Sequence, residues 1–441
     1  MMRPLRWPVL VVLLSVVIVA CDRGRKPAPA ADAPHAEPPA IVPAATTTAS
    51  ATIADPRFRP LPGARADFGT YNGGAYRIEV PLQWNGVLVL YAHGYRGDTP
   101  EVWVSDSPIR PHLIENGYAW AASSYRQNGY RPDIGLEDTL ALKSLFVERY
   151  GEPRLTILEG SSMGGHVLAA AMELHQVEFQ GALAECPAIG IGVVDYLLAF
   201  GAAAEFVSGV DLFDAPDAPS FVRTALSEWL PAVGAGSVPT EKGRAFQSVA
   251  KYLMGGALPF WQEGLAERTT RAANLLLLAD PNRMATPAGR AADTRHVQYR
   301  IDPGLGFTAE EINQGTRRFA PAPGSRLVSD NAVFAELTGR IVAPVITLHT
   351  TGDAYVPFAL EQDYRRLTIA AGTADYLVQR AIRRPGHCQF EAPEVTRAFD
   401  DLMRWVEHGD RPEGDDVLTP DLQSLGLKWT TPLLPTDPAR P

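Results

Sequence analysis

The sequence predicts a doubly wound α/β protein, with a mostly parallel sheet and a large, mainly helical cap insertion. The first observation is that apolar runs typical of buried parallel strands, such as VLVLYA and RLTILEG, alternate with stretches of helical periodicity. The second is that this alternation stops after the strand-like GALAECPA and resumes roughly 150 residues later, at APVITLHTTGD. An interval of that length must form structure of its own, so an insertion divides the sheet into two parts.

The elements before the insertion follow the order that right-handed crossovers require. Predicted strands begin near Tyr76 with YRIEVP and continue with VLVLYAH, YAWAASSY and RLTILEG. A predicted helix, DIGLEDTLALKSLFVERYG, lies between the last two strands, because its apolar residues fall at helical spacing. The strand RLTILEG leads through a short glycine-rich stretch into VLAAAMELH, which is the next predicted helix.

The insertion and the second part of the sheet show the same kinds of pattern. Helices of the insertion are predicted at VVDYLLAFGAAAEFV, KGRAFQSVAKYLMGG and TAEEINQGTRRF. The last of them opens with Thr308 and Glu311, a capping box. The elements predicted after APVITLHTTGD are a helix (FALEQDYRRLTIAAG), a strand (DYLVQRAI) and a final amphipathic helix (APEVTRAFDDLMRWVEHG).

The first 21 residues have the pattern of a bacterial export signal. Arg3 and Arg6 precede an apolar stretch that is long enough for export but short for a membrane-spanning helix. The stretch ends in Ile-Val-Ala-Cys, which resembles the lipobox, where the cysteine, here Cys21, receives a diacylglyceryl group and becomes the mature N-terminus. Ordinary signal cleavage after Ala20 is the alternative. The first interpretation predicts a lipoprotein of the bacterial cell envelope, anchored to a membrane and facing the periplasm or the exterior.

Composition completes the predicted domain organisation and excludes one class of partner. After Cys21 the chain is mostly Ala, Pro and Thr with almost no aromatic residues, so it predicts a disordered tether. The predicted segments are a signal (1–21), a tether (22–60), two parts of the core (61–189 and 341–409), the cap insertion (190–340) and an irregular tail (410–441).

The net charge of −10 and the lack of Lys/Arg clusters exclude a nucleic-acid partner.

The stretch GSSMGGH fits the pattern Gly-x-Ser-x-Gly only when it is centred on Ser162. Glycines two residues before and after the serine permit a sharp strand-to-helix turn, which larger side chains at those positions would block. The strained turn lifts the serine Oγ clear of the sheet. Because the motif stands between a predicted strand and a predicted helix, Ser162 is the candidate nucleophile.

A serine hydroxyl is a poor nucleophile unless an imidazole takes its proton and a carboxylate orients that imidazole. Asp353 comes just after the strand-like APVITLHT, and His387 lies in a loop after the next predicted strand. Of the nine histidines, only His387 and His408 follow Asp353, and His408 falls at the end of the final amphipathic helix. We therefore assign the base to His387 and the acid to Asp353, with Asp195 as the alternative acid.

From about residue 76 to residue 406 the chain resembles the α/β-hydrolase superfamily, through HGY, GSSMGG, TGDAYVP and PGHC in the required order. The resemblance implies that an oxyanion would be held by the backbone N–H groups of Tyr95 and Met163, and that the insertion forms a lid over the site. Exported esterases and the serine aminopeptidase or prolyl-oligopeptidase-like group are the most similar members, although the short tether is incompatible with the propeller of the latter.

The expected activity is hydrolysis of carboxylic esters, with amide or peptide cleavage by the same triad as the alternative within enzymes. A catalytically silent envelope scaffold is the alternative outside them. Tyr125 and Arg126 follow a predicted strand at the sheet edge and are candidate substrate contacts. No HExxH, CxxC or P-loop motif is present, so neither a metal nor another cofactor is predicted. Cys186 and Cys388 form a disulfide or remain buried thiols, and the sequence leaves both possibilities open.

Overall fold

The computed structural model describes residues 51–235, 238–270, 281–326, 332–334 and 336–440. Cys21, the export signal and most of the predicted tether lie outside the described residues. The strands are β1 (Thr52–Ile53), β2 (Ala64–Tyr71), β3 (Gly74–Pro81), β4 (Val87–Ala92), β5 (Glu101–Val102), β6 (Ala119–Ser123), β7 (Leu155–Ser161), β8 (Gly181–Glu185), β9 (Val345–Thr350) and β10 (Leu377–Ile382). The helices are α1 (Arg110–Glu115), α2 (Pro132–Tyr150), α3 (Met163–Leu174), α4 (Gly192–Ser208), α5 (Ala218–Thr224), α6 (Leu230–Val233), α7 (Glu241–Leu253), α8 (Trp261–Thr270), α9 (Pro281–Met284), α10 (Pro287–Arg290), α11 (Ala309–Gly315), α12 (Ala359–Ala371) and α13 (Ala392–His408).

The main sheet has eight strands in the order β10-β9-β8-β7-β4-β6-β3-β2. Strands β6, β4, β7, β8, β9 and β10 are parallel, and β3 pairs antiparallel with both of its neighbours. This confirms the predicted mostly parallel sheet. Because β4 lies between β6 and β7, the crossovers from β4 and β6 run in opposite directions and leave a crevice at the carboxyl ends of β4 and β7, where ligands bind in such folds.

Helices cover both faces of the sheet. Apolar side chains of α2 and α3, such as Phe146 and Val167, pack on one face, and those of α1 and α13, such as Leu113 and Phe399, pack on the other. All six residues of β4 are buried as a result. A continuous apolar run without alternation is therefore the pattern that such a strand requires.

The predicted helical insertion is present between β8 and β9. Its helices α4 and α7 pack together through Phe200 and Phe246, whose ring centroids lie 5.1 Å apart. Helix α11 begins with the predicted capping box, since Thr308 accepts from the Glu311 N–H and the Glu311 side chain accepts from the Thr308 N–H.

Two features at the start of the described chain differ from the expectations. The hairpin strand β2 was not predicted, because none of the residues of this edge strand is buried and the strand carries only a weak apolar pattern. Residues 51–60 were assigned to the tether, yet they include β1, and Phe58 packs with its ring centroid 5.9 Å from that of Trp120. The ordered domain therefore begins before residue 61. None of the described helices is both long enough and apolar enough to span a membrane.

Candidate active site

Ser162 is the single residue between β7 and α3, and its backbone adopts φ 57° and ψ −117°. Positive φ is uncommon for a residue with a side chain and stores local strain. The flanking glycines make the turn possible, because a Cβ on Gly160 would collide with the carbonyl of Gly164, and a Cβ on Gly164 would collide with the carbonyl of Ala92. The steric reason for which we predicted a sharp turn at Ser162 is therefore present in the structure.

Of the three side chains proposed from the sequence, His387 lies within hydrogen-bond distance of both of the others. Nε2 of His387 is 2.8 Å from Oγ of Ser162, and Nδ1 of His387 is 2.5 Å from Oδ2 of Asp353. Asp353 follows β9 and His387 follows β10, so loops at the carboxyl ends of these strands carry both residues to the serine.

Asp353 is fully buried, and its other carboxylate oxygen accepts the backbone N–H groups of Tyr355 and Val356, both at 2.9 Å. Burial by itself raises the pKa of this carboxyl group. The opposing effects of His387, His349 and the Val356 N–H outweigh burial and hold the pKa of Asp353 below its ordinary value. The group therefore stays ionised and faces the imidazole.

The alternatives to these residues are engaged elsewhere. Asp195 lies in the first turn of α4, where it forms an ion pair with Arg326 and accepts the Asp293 N–H at 2.7 Å. His408 is the last residue of α13 and is exposed. Asp195 is therefore bound within the insertion, and His408 lies at the surface.

Two backbone segments border the Ser162 hydroxyl. Met163 begins α3, and the N–H groups of a first helical turn have no carbonyl partner within the helix. On the other side, a Cβ built on Gly94 would lie 3.0 Å from Cβ of Ser162 and 3.5 Å from its Oγ. Glycine is needed for this approach, and it brings the segment that leads into Tyr95 against the serine.

His93 holds this segment in place. Its ring nitrogens lie 2.7 Å from the Gly94 carbonyl oxygen and 3.1 Å from that of Ser124, as expected for a residue that fixes the loop. Burial lowers the pKa of His93 to about 3, so the ring stays neutral. The ring of Tyr125 stacks on it with centroids 3.9 Å apart.

The position of Tyr125 corrects its predicted role as a substrate contact. Only 1% of Tyr125 is exposed, and its hydroxyl donates to the His93 carbonyl oxygen at 3.2 Å. A left-handed backbone, with φ 54°, turns this residue back into the protein. Arg126 is partly exposed, with its guanidinium paired to Glu137 and Asp138, and its contact with substrate stays a prediction.

Cys186 and Cys388 form a disulfide, with Cα atoms 5.3 Å apart. Cys186 directly follows β8, and Cys388 directly follows His387, with its Sγ 3.6 Å from Nε2 of that histidine. The bond therefore ties the His387 loop to the sheet. Within the described ranges, His387 and these two cysteines form the one cluster with metal-ligand spacing, and the disulfide occupies both sulfurs.

Two buried glutamates beneath the serine turn were missed by the sequence analysis. Glu159 accepts from the Ser107 hydroxyl at 2.7 Å, and Glu185 accepts from the Ser161 hydroxyl at 3.1 Å. The backbone carbonyl of Glu185 also accepts the Ser162 N–H at 2.9 Å. The available signal was a single charged residue in the second half of an otherwise largely apolar strand, which both β7 and β8 contain.

The sheet order and the strained serine turn are those of the α/β-hydrolase fold, and Ser162, His387 and Asp353 meet at the position where that fold carries a nucleophile. No family model matches the sequence. Among curated proteins it is similar to the o-phthalyl amidase of Xanthobacter agilis, at 23% identity over 410 residues, which cover 78% of this chain and 88% of the amidase.

Solved structures that share part of this backbone arrangement include two esterases and a peptidase. An esterase of Pyrococcus furiosus superposes with a TM-score of 0.41 at 11% identity, over 81% of this chain and 99% of the esterase. Feruloyl esterase B of Aspergillus oryzae gives 0.40 at 12% identity, over 78% and 80% of the two chains. The acylaminoacyl peptidase of Pyrococcus horikoshii gives 0.40 at 10% identity, over 81% of this chain but only 44% of the peptidase.

Proposed function

We propose that the protein hydrolyses carboxylic esters through an acyl-enzyme on Ser162. The observation that carries this proposal is the chain of short contacts from Ser162 Oγ to His387 Nε2, at 2.8 Å, and from His387 Nδ1 to Asp353 Oδ2, at 2.5 Å. A hydroxyl, an imidazole and a carboxylate in this order form the general design of an activated serine.

In the acylation step, Ser162 Oγ attacks the ester carbonyl carbon while its proton passes to Nε2 of His387. Asp353 keeps Nδ1 protonated and stabilises the imidazolium that forms. The carbonyl oxygen becomes an oxyanion, and the backbone N–H groups of Tyr95 and Met163 donate to it. When the tetrahedral intermediate collapses, the bond to the leaving oxygen breaks and that oxygen takes the proton from His387.

The deacylation step uses the same groups in reverse. His387 removes a proton from a water molecule, which attacks the acyl carbon of the Ser162 ester. The second tetrahedral intermediate breaks the bond to Oγ, and His387 returns its proton to that oxygen. The carboxylic acid leaves and the free serine is restored.

Hydrolysis of amides is the second candidate, favoured by the similarity to an amidase over most of that protein's length. The same triad serves both reactions, because only the leaving atom differs. An amine leaves less readily than an alcohol and depends more on protonation by His387.

A fluorophosphonate probe, which modifies activated serines, tests the proposal. We expect it to label the wild type and not Ser162→Ala, whereas Ser161→Ala, the adjacent serine, is the matched control and keeps its labelling. The rates of hydrolysis of p-nitrophenyl butyrate, an aminoacyl p-nitroanilide and a phthalyl amide then show whether the protein prefers esters or amides. Faster cleavage of an amide than of the ester would reverse the order of the two candidates. A folded wild type that is not labelled would favour a silent scaffold.

We also propose that a lipid on Cys21 anchors the protein in the bacterial cell envelope. Support comes from the lipobox-like sequence and from the Cys186–Cys388 disulfide, since such bonds persist in oxidising compartments. Cys21→Ser is expected to move the protein from the membrane fraction to the soluble fraction. The same distribution for wild type and variant would contradict lipidation.

A further inference from the structure

Helix α8 of the insertion contacts both loops that carry the proposed catalytic pair. Gly264 lies where the two loops meet, since a Cβ at this position would collide with the carbonyl oxygens of Gly352 and Pro385. Gly352 directly precedes Asp353, and Pro385 comes two residues before His387. The insertion therefore touches the acid loop and the base loop at the level of their backbones.

Arg268 lies one turn further along α8 and is fully buried. Its Nη1 donates to the backbone carbonyl of Ala354 and, at 3.0 Å, to the hydroxyl of Tyr196. The Tyr196 hydroxyl, which belongs to α4, donates to the same Ala354 carbonyl at 2.8 Å. Two side chains of the insertion thus converge on the carbonyl of the residue next to Asp353.

The surroundings of Arg268 show that its position is closely defined. The guanidinium carbon lies 3.8 Å from the centroid of the Phe200 ring and 5.4 Å from that of Tyr196. Burial lowers the pKa of Arg268, while the Tyr196 hydroxyl and the Asp353 carboxylate favour its charged form. Burial of a guanidinium costs free energy, which its hydrogen bonds must offset. The bonds of Arg268 beside the acid loop therefore suggest that it has a role in holding that loop.

We propose that Arg268 and Tyr196 are positioning residues, which hold the Ala354 carbonyl so that Asp353 is aligned with His387. This inference depends on the proposed function, because it concerns the alignment of the same triad. It means that the insertion completes the geometry of the acid. A displacement of about 1 Å in such a geometry is sufficient to lower a rate by about 100-fold.

The first test compares Arg268→Met, Arg268→Lys and Tyr196→Phe on p-nitrophenyl butyrate. Arg268→Met keeps a similar length but loses the donors, and we expect kcat to fall by about 10- to 100-fold with KM changed by less than about threefold. Tyr196→Phe loses one hydroxyl and is expected to lower kcat by about 3- to 10-fold. Arg268→Lys keeps a cationic donor and restores part of kcat. Arg295→Met, an exposed arginine of the insertion, is the matched control and keeps wild-type kinetics.

A double-mutant cycle with Asp353→Asn shows whether the effect passes through the acid. If Arg268 acts by aligning Asp353, then Arg268→Met lowers kcat by less than about twofold in the Asp353→Asn background. The inference would be overturned if the kcat of the double variant fell by the full product of the reductions in the two single variants. A rise in KM with kcat unchanged in Arg268→Met would also overturn it. If Arg268→Met does not fold, the same cycle with Tyr196→Phe decides, and an unchanged kcat in that variant overturns it.

Fluorophosphonate labelling of the wild type separates this inference from the proposed function. If the wild type is labelled at Ser162 and the Arg268 variants match it in kcat, only the inference fails. If the folded wild type is neither labelled nor active, the proposed function fails and the inference fails with it.

Discussion

Glu159 and Glu185 form a buried pair of carboxyl groups directly beneath the serine turn. Oε1 of each has no hydrogen-bond donor among the residues that the structure describes, and we expect a proton shared between the two carboxyl groups to supply that donor. Burial and the neighbouring Glu185 raise the pKa of Glu159 well above its ordinary value, and burial raises the pKa of Glu185 to about 7. Near neutral pH the pair therefore carries at least one proton.

Because of this buried pair, we expect the free energy of unfolding to fall as the pH rises. Between the ordinary carboxyl range and the raised pKa values, the folded protein binds more protons than the unfolded chain, so the free energy of unfolding decreases with pH. Glu159→Gln replaces the protonated carboxyl by an uncharged amide donor. We expect this variant to gain on the order of 1–3 kcal/mol at pH 8 and to show a flatter pH dependence between pH 5 and 8.

Urea unfolding at pH 5, 6, 7 and 8 measures the effect. Glu148→Gln, which changes an exposed glutamate of α2, is the matched control and should follow the wild-type curve. A Glu159→Gln curve parallel to that of the wild type would mean that the pair does not hold a proton in this range.

At the residue scale, the sequence predicts the groups whose chemistry imposes a local pattern. Ser162 was predicted because its turn excludes side chains at Gly160 and Gly164, and His387 because few histidines follow Asp353. Tyr125 was misjudged, since its left-handed backbone leaves no trace in the residue order. The proton that we expect the two glutamates to share depends on a contact between adjacent strands, which no local pattern records.

At the scale of elements, the disulfide joins the end of β8 to the loop that follows β10. Its cysteines are 202 positions apart in the sequence, so only the sheet order reveals their proximity. The parallel strands were predicted from the sequence, but the pairing of the cysteines was not, because only the strands leave a local pattern. Buried strands such as β4 show an apolar run in the sequence, whereas a bond between distant segments has no local signature.

Removal of this bond is expected to weaken both the fold and the reaction. The double variant Cys186→Ala/Cys388→Ala should lose about 2–5 kcal/mol of unfolding free energy, because the unfolded chain is no longer cross-linked. Since Cys388 follows His387, we also expect a lower kcat on p-nitrophenyl butyrate. Denaturant unfolding with and without a reducing agent measures the first effect.

The double variant is its own control for the reductant, because only the wild type should respond to it. If the reduced wild type and the double variant both unfold at the denaturant concentration of the oxidised wild type, the bond does not contribute to stability.

At the scale of the whole molecule, the C-terminal segment 410–440 is built into the domain although it contains almost no regular structure. Asp415 follows the edge of the sheet, since its N–H donates to the carbonyl of Gln379 in β10 at 2.7 Å and its carboxylate accepts the Ala381 N–H at 2.8 Å. The sequence predicted an irregular tail here, without indicating what the tail contacts. In the structure its backbone satisfies polar groups at a strand edge that would otherwise be open.

Arg383 connects this segment to the active-site side of the molecule. The residue follows β10 and is fully buried, and its guanidinium donates to both carboxylate oxygens of Asp437, at 2.6 and 2.7 Å, and to the carbonyls of Gln423 and Leu425. The chain then continues over four residues to His387. The C-terminal segment thus fixes the point from which the base loop departs.

Asp437→Asn is therefore expected to destabilise the whole domain, although it changes a residue close to the end of the chain. The substitution leaves the Arg383 guanidinium buried without its counter-charge, and removal of one partner of such a pair costs about 3–5 kcal/mol. Denaturant unfolding measures the loss, with the exposed Asp410→Asn in the same segment as the matched control. Because Arg383 precedes the base loop, labelling of Ser162 should be lost at the same denaturant concentration as the fold. An Asp437→Asn variant as stable as Asp410→Asn would show that the C-terminal segment is dispensable for the domain.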